Sequence, residues 1–233
     1  MGRVTTFRLA SYNLHKCVGP DGRRDPGRVI DVLNALDADV VALQEADRRL
    51  GERPAALPRQ MVETASDFEV VGAGDGPSLG WHGNAVLVRK GTPARAVARM
   101  SLPGLEPRGG LVVEVETPAG PVRVAAVHLG LLRRDRERQL RAIRAELAGR
   151  AAMPVAILGD FNEWSLRRGM EALDGGFRVI APGRSFHALH PMAHLDRIAL
   201  CGGFSFEGAG VHDTVAARAA SDHLPVWAEV RAA

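Results

Sequence analysis

The sequence predicts one α/β or α+β domain, with two β-sheets packed face to face and helices outside them. Three observations lead there. Short apolar β-like runs are numerous, helical patterns are few, and the helices fall in both halves of the chain. At 233 residues the chain is long for one domain but within the range of a single sandwich. No repeat, low-complexity tract or linker divides it, so residues 1–233 read as one domain that buries a large core without disulfides.

The elements follow in order. "FRLASYNL" (7–14) reads as a strand, with Phe7, Leu9 and Ser11 on one face and Arg8, Ala10 and Tyr12 on the other. "PGRVIDVLNALDAD" (26–39) reads as a helix: Pro26 suits the first turn, and Val29, Ile30, Leu33 and Leu36 recur at helical spacing. "VVALQE" (40–45) is a buried strand ending on a carboxylate, and "ALPRQMVETAS" is a second helix. "NAVLVRK", "ARAVARMSL", "GLVVEVETPAG" and "PVRVAAVHL" are successive strands, with a hairpin signal in "ETPAGPVRV". "RRDRERQLRAIRAELAGR" (133–150) is a charged amphipathic helix. "PVAILGDF" is a buried strand, followed by a helix over about 165–174. "LDRIAL", "FSFEGAGVHD" and "LPVWAEVRA" close the chain as strands.

Composition narrows the class. Apolar residues are 46% and charged residues 24%, ordinary for a soluble globular protein. Two cysteines, Cys17 and Cys201, make neither a disulfide framework nor a zinc cluster, which points to a reducing, cytoplasmic compartment. The N-terminus lacks a secretory pattern, and no run approaches the roughly 18 apolar residues that span a bilayer. The net charge of +3 and pI of 9.4 hint weakly at an anionic substrate, although an Arg-rich composition explains them as well. The arginines from Arg133 to Arg144 read first as a solvated helix face and second as a polyanion contact. His187, His190 and His194 are irregularly spaced and read as a loop beside the site rather than a metal cluster.

The polar residues of interest share one placement. Asn13, Glu45, His128 and Asp160 each end an apolar strand, and Asp222 and His223 come just before the last one. In "ILGDFNEW" (157–164) a buried strand stops on Asp160 and Asn162. Both are good helix caps, yet both also suit a shared polar site. If these strand ends lie on one edge, they build that site on a rigid scaffold. It then crowds carboxylates that need a cation or an upward pKa shift.

"SYNLH", "ALQE", "VHL", "GDFN", "LDRI" and "SDHLPV" stand in the order and approximate spacing of the endonuclease/exonuclease/phosphatase superfamily, the deoxyribonuclease I-like fold. The resemblance runs from about residue 7 to residue 231, and "NLHKCVGPDGRRD" is similar to a bacterial branch of small, uncharacterised members. It implies an α+β fold, a four-layer α/β/β/α sandwich of two mixed sheets. It also implies metal-assisted hydrolysis of a phosphoester by water.

By this resemblance Glu45 is the principal ligand of Mg²⁺ or Mn²⁺, hard ions that suit oxygen donors, with Asn13 and Asp222 beside it. Asp160 orients or deprotonates the attacking water, and Asn162 donates to a non-bridging phosphate oxygen. His223 is the catalytic histidine, oriented by Asp196, and His128 stabilises the transition state. Asn84 and Arg108 are candidate substrate contacts; for each, a structural role weighs equally. The reading is a divalent-metal-dependent phosphodiesterase, acting as a monomer on DNA, RNA, a lipid head group or another small phosphodiester. The alternative is a catalytically inactive binding module on the same scaffold, which would lack at least one of these residues. One metal or two, and the substrate itself, stay open at this level.

Overall fold

The computed structural model describes residues 6–49, 51–118 and 120–232. Strands β1 (Phe7–Asn13), β2 (Val40–Gln44), β3 (Phe68–Val70), β4 (Ala85–Arg89), β11 (Phe204–Val211) and β12 (Val226–Ala232) form one sheet, in the order β11-β12-β1-β2-β4-β3. Strands β5 (Ala94–Leu102), β6 (Arg108–Thr117), β7 (Gly120–His128), β8 (Val155–Asp160), β9 (Arg178–Ile180) and β10 (Asp196–Cys201) form the other, in the order β5-β6-β7-β8-β10-β9. Each sheet contains one parallel pair, β1–β2 and β7–β8, among antiparallel neighbours. A parallel pair needs a crossover. Helix α1 (Pro26–Ala35) supplies the first and α3 (Arg133–Ala148) the second. Helices α2 (Arg59–Ala65) and α4 (Val215–Ala220) are short.

Three apolar layers hold the sandwich. One lies between α1 and its sheet, one between the two sheets, and one between the second sheet and α3. The architecture is the four-layer α/β/β/α sandwich. Strand alternation assigns the faces as expected: Phe7 and Leu9 enter the layer between the sheets, whereas Ala10 and Tyr12 face α1.

That same alternation builds the site. Phe7 and Leu9 are followed on their face by Asn13; Val124 and Ala126 by His128; Ala156 and Leu158 by Asp160; Ile198 and Leu200 are preceded by Asp196. The polar residues are thus the terminal positions of the inter-sheet face. Register brings them together, since Asp160 pairs with His128 on one side and with Asp196 on the other. Gly159 permits this approach, because a Cβ there would overlap the carbonyl oxygen of Val127.

Two sequence expectations need correction. The helix over 26–39 stops at Ala35, since Asp37 takes a positive φ of 49° and Asp39 accepts the backbone N–H of Arg8. The helix over 165–174 does not form; a single 3-10 turn at Glu171–Leu173 stands in that segment. Ser165 Oγ does accept from the N–H groups of Arg167 and Arg168, as a cap would. However, Arg197 of β10 draws the carbonyls of Glu163 and Ser165 to itself, and Gly169 turns the chain at φ 90°.

The segment after β8 is instead clamped by buried charge. Glu163 accepts from Arg136 of α3 at 2.7 Å, from Arg133 at 3.4 Å and from the Ser165 N–H at 2.8 Å. Arg136 also donates to the carbonyl of Leu131, tying the loop after β7 to the loop after β8. Part of the basic stretch on α3 is therefore internal structure. Burial disfavours the Glu163 charge, but the Ser165 N–H and the arginines outweigh it and hold the carboxyl below its usual 4.5. A depressed folded pKa contributes stability above the unfolded value, which is lost as pH falls through the folded one. Glu163→Gln should therefore cost roughly 3 kcal/mol at neutral pH, because it leaves a buried guanidinium unpaired. The difference from wild type should shrink as pH falls through the lowered folded pKa. Urea unfolding across a series of falling pH values checks this, and a pH-independent difference would remove the ion pair from the account.

Candidate active site

The carboxyl ends of both parallel pairs open into one cavity of about 660 Å³. Open sheets bind ligands at such ends, where loops diverge from the strands. Asn13 and Glu45 reach the cavity from the first sheet, His128, Asp160 and Asn162 from the second, and Asp222 and His223 from the turn before β12.

Asp160 is the hub. Its Oδ2 accepts from Asn13 Nδ2 at 3.0 Å, a hydrogen bond that joins the two sheets. Its Oδ1 accepts from the Asn162 N–H at 2.9 Å. His128 Nε2 stands 3.4 Å from Oδ2, and His223 Nε2 3.8 Å from it. Burial raises the Asp160 pKa, opposed first by the His223 charge.

The two histidines are held in opposite states. His223 Nδ1 lies 2.8 Å from Asp196 Oδ2, which also accepts from the Ser185 hydroxyl at 2.6 Å. Burial pulls His223 down, but Asp196, through its charge and hydrogen bond, and then Asp160 and Asp222 lift it to about 10. It is an imidazolium at neutral pH. His128 has Asp160 at 3.4 Å but no second carboxylate on its other nitrogen; burial, then the charge of Arg108, drive it well below its usual value, and its ring is neutral.

Glu45 and Asn162 share a strained backbone, with φ of 51° and 50°. Such φ values are uncommon outside glycine, and Asn bears them better than Glu. In β2 it is Gln44 that occupies the inter-sheet face, bonding Ser11. Regular alternation would turn Glu45 the other way, and its positive φ ends that alternation at the cavity. Asn162 donates one amide N–H to the Leu129 carbonyl at 2.9 Å and keeps a second donor.

The oxygen donors fit a hard divalent cation. Glu45, Asn13 and Asp222 line one cavity, and no sulfur ligand accompanies them there. The expected carboxylate crowding is relieved from within the chain: Lys16 and Arg49 both pair with Glu45. Burial disfavours the Glu45 charge, yet these two cations hold its carboxyl below the usual range. Asp160, Asp196 and His223 also approach as metal ligands would. There, however, Nδ1 of His223 is engaged by Asp196 and the ring carries a proton, so we read that trio as a hydrogen-bonded relay.

Not every candidate meets the cavity. Asn84 is fully buried behind it, and its amide donates to the carbonyls of Trp81 and Gly109. Its place in the structure is to tie β4 to the start of β6. Arg108 does line the cavity, paired with Glu106 at 2.6 Å. Several neighbours escaped sequence reasoning. Ser185 orients Asp196 from a loop with no motif of its own. Ser221 holds the Asn13 carbonyl at 2.7 Å, and the only signal for it was its place at the head of "SDHLPV". Arg49 stands four residues after Glu45, a spacing that announces an ion pair only once the local chain turns helically. Arg53, His82, Trp164 and Phe186 also line the cavity.

Comparison with known proteins agrees with this geometry. The chain is 29% identical over 251 aligned positions to the uncharacterised protein YbhP of Escherichia coli K12, covering 97% of this chain and 96% of that protein. Its fold is similar to an endonuclease/exonuclease/phosphatase from Beutenbergia cavernae, with a TM-score of 0.75 at 23% identity, over 97% of this chain and 72% of that one. It is also similar to Danio rerio TDP2 complexed with a single-strand DNA product, with a TM-score of 0.72 at 15% identity, over 97% of this chain and 99% of that one. A sequence model of the endonuclease/exonuclease/phosphatase family matches residues 10–223. With the strand-end site and the four-layer sandwich already in view, that match places the chain in the endonuclease/exonuclease/phosphatase family.

Proposed function

We propose that the chain is a divalent-metal-dependent phosphodiesterase that hydrolyses its substrate by in-line attack of a water. The observation that carries this reading is the pairing of a buried carboxylate, Asp160, with an imidazolium, His223, on one cavity wall. Groups pushed to opposite protonation roles by their surroundings are the mark of acid–base work. A cation held by Glu45, Asn13 and Asp222 would supply Lewis-acid stabilisation of a phosphate oxygen.

The chain's own residues do the rest. Asp160 accepts the proton of the attacking water as its oxygen bonds to phosphorus. Asn13 keeps the carboxylate aligned through Oδ2. Asn162 offers its free amide N–H, and neutral His128 a ring N–H, to the oxygens where charge accumulates. As the bond to the leaving oxygen breaks, His223 delivers the proton on Nε2 to it, while Asp196 holds the ring through Nδ1. The substrate is a nucleic-acid or a lipid or other small phosphodiester. An inactive binding module is the competing reading, and the presence of every motif residue argues against it.

Hydrolysis of bis-p-nitrophenyl phosphate with Mg²⁺ or Mn²⁺ tests the proposal. Asp160→Asn and His223→Ala should each lower kcat by roughly 10²-fold or more. Inactivity of the wild type on this diester, nucleic acids and phospholipids alike would favour the binding module. Because Asp196 acts through His223, the double variant Asp196→Asn/His223→Ala should be little slower than His223→Ala. Additive losses would separate the two residues.

Metal binding has a readout independent of turnover. Mg²⁺ at about 100 times its dissociation constant should add roughly 2.7 kcal/mol to the stability of the metal-free protein. Glu45→Gln should abolish most of that increment. Since Glu45 is already paired with Lys16 and Arg49, the substitution should not stabilise the metal-free form. Thermal unfolding of both proteins in EDTA and in excess Mg²⁺ decides it. An intact increment in the variant would move the metal away from Glu45.

A further inference from the structure

Exposed large apolar side chains are ordinary when scattered singly over a surface. Here they are not scattered. Among the described residues they all fall on the connections at the catalytic ends of the strands. Leu105 (79% exposed) tips the β5–β6 turn, beside the start of β6. Leu131 (64%) follows β7, Trp164 (61%) and Leu166 (60%) follow β8, and Leu189 (45%) and Met192 (62%) precede β10. The remaining two, Leu132 and Val215, lie in the loop after β7 and in the connection before β12. The connections at the opposite ends of the sheets carry none among the described residues.

The same loops carry unpaired cations. Arg167 and Arg168 follow Leu166 directly, and Arg184 begins the segment that bears Leu189 and Met192. All three are exposed, and their guanidinium groups make no ion pair or hydrogen bond among the described residues. By contrast Arg133, Arg136 and Arg197 nearby are consumed by the internal clamp. The apolar patch is continuous with the reaction cavity, since Leu131 and Trp164 belong to both. Trp164 packs edge-on against Phe186 at 6.2 Å, and Phe186 in turn lies 5.0 Å from His223.

We propose that this end of the molecule docks on an anionic lipid surface, its apolar loop tips entering the acyl boundary while Arg167, Arg168 and Arg184 meet headgroup phosphates. Aliphatic side chains held out into water gain by entering an apolar medium. Interleaved arginines keep their charge at the headgroup level. A nucleic-acid surface would call for stacking rings, and Trp164 is the one exposed aromatic among these apolar side chains. On the phosphodiesterase reading the cavity then faces the membrane, and the substrate is the head group of a phospholipid. Docking itself does not depend on that reading.

The test is flotation of the purified protein, in EDTA so that no turnover occurs, with vesicles of phosphatidylcholine alone or with added phosphatidylglycerol. The protein should float with the anionic vesicles and much less with the neutral ones. Leu166→Ser/Met192→Ser should weaken that binding by about tenfold or more, and Arg167→Gln/Arg168→Gln should do so by a similar factor. Trp164 emission should shift to the blue on binding, a change that Trp164→Phe removes. If the apolar double variant melts early, the arginine variant, which alters only exposed groups, decides alone. Absence of flotation with either composition, or flotation that survives the arginine variant, overturns the proposal. So does salt-sensitive binding of a single-stranded oligonucleotide without flotation, which would assign the arginines to nucleic acid. A failed phosphodiesterase reading appears separately, as no hydrolysis of the soluble diester by the same preparation.

Discussion

The site depends on one buried hydrogen bond, from Asn13 Nδ2 to Asp160 Oδ2 across the two sheets. Everything chemical in the cavity is arranged around it. The apolar layer between the sheets excludes water up to this point, and there it changes to side chains that carry charge. A carboxylate in such a place is costly unless it is partnered. Asn13, the Asn162 N–H and His223 provide the partners. The same low dielectric separates the two histidines. His223, with Asp196 against it, keeps its proton, and His128, near Arg108, loses it.

Strain and buried charge hold this arrangement steady. Residues with positive φ outside glycine cluster at the cavity: Glu45, Arg53, His82 and Asn162 all line it. Each costs of order 1–3 kcal/mol and persists only where the surroundings over-determine it. For Asn162 the surroundings are explicit. Its amide bonds Leu129, its neighbour Glu163 is gripped by Arg136, and Arg197 holds the carbonyls that follow. The clamp is made by three elements that are far apart in the chain and adjacent in space. The cavity-lining Asn162, although on a loop, is thereby given the rigidity of the strands beneath it.

The two ends of the sandwich differ in a way that follows from strand direction. Both parallel pairs point their carboxyl ends the same way, so the loops that bear chemistry share one end with the exposed apolar tips and the unpaired arginines. The opposite end carries short turns. No helix among the described residues is long and apolar enough to cross a membrane, and the large exposed apolar side chains among them stand on the connections at this one end. The polar cavity and its apolar margin are therefore a single surface, which is why its partner and its substrate are physically linked questions.

Much of this was legible in the sequence, for reasons of period and punctuation. Alternation of apolar residues marked the strands and their faces, and the polar residue at the end of each run marked where the face would turn hydrophilic. The motifs around Asn13, Glu45, His128, Asp160, Asp196 and Asp222–His223 carried the family resemblance because they are short and local. The failures were cases where a distant group overrode a local preference. Ser165 has the makings of a helix cap, yet Arg197, contributed by β10, takes the carbonyls a helix would need. Asn84 sits among site residues in the sequence, but packing turns its amide to backbone carbonyls behind the cavity. The basic run on α3 looked like one surface, although Arg136 points inward to Glu163. By itself, then, the sequence determined which residues end strands and on which face. Only the tertiary structure decided which strand ends meet and which charges cancel, including the cations on Glu45. Those outcomes depend on through-space distances, in the case of Asn13 and Asp160 between residues 147 positions apart, and no local period encodes them.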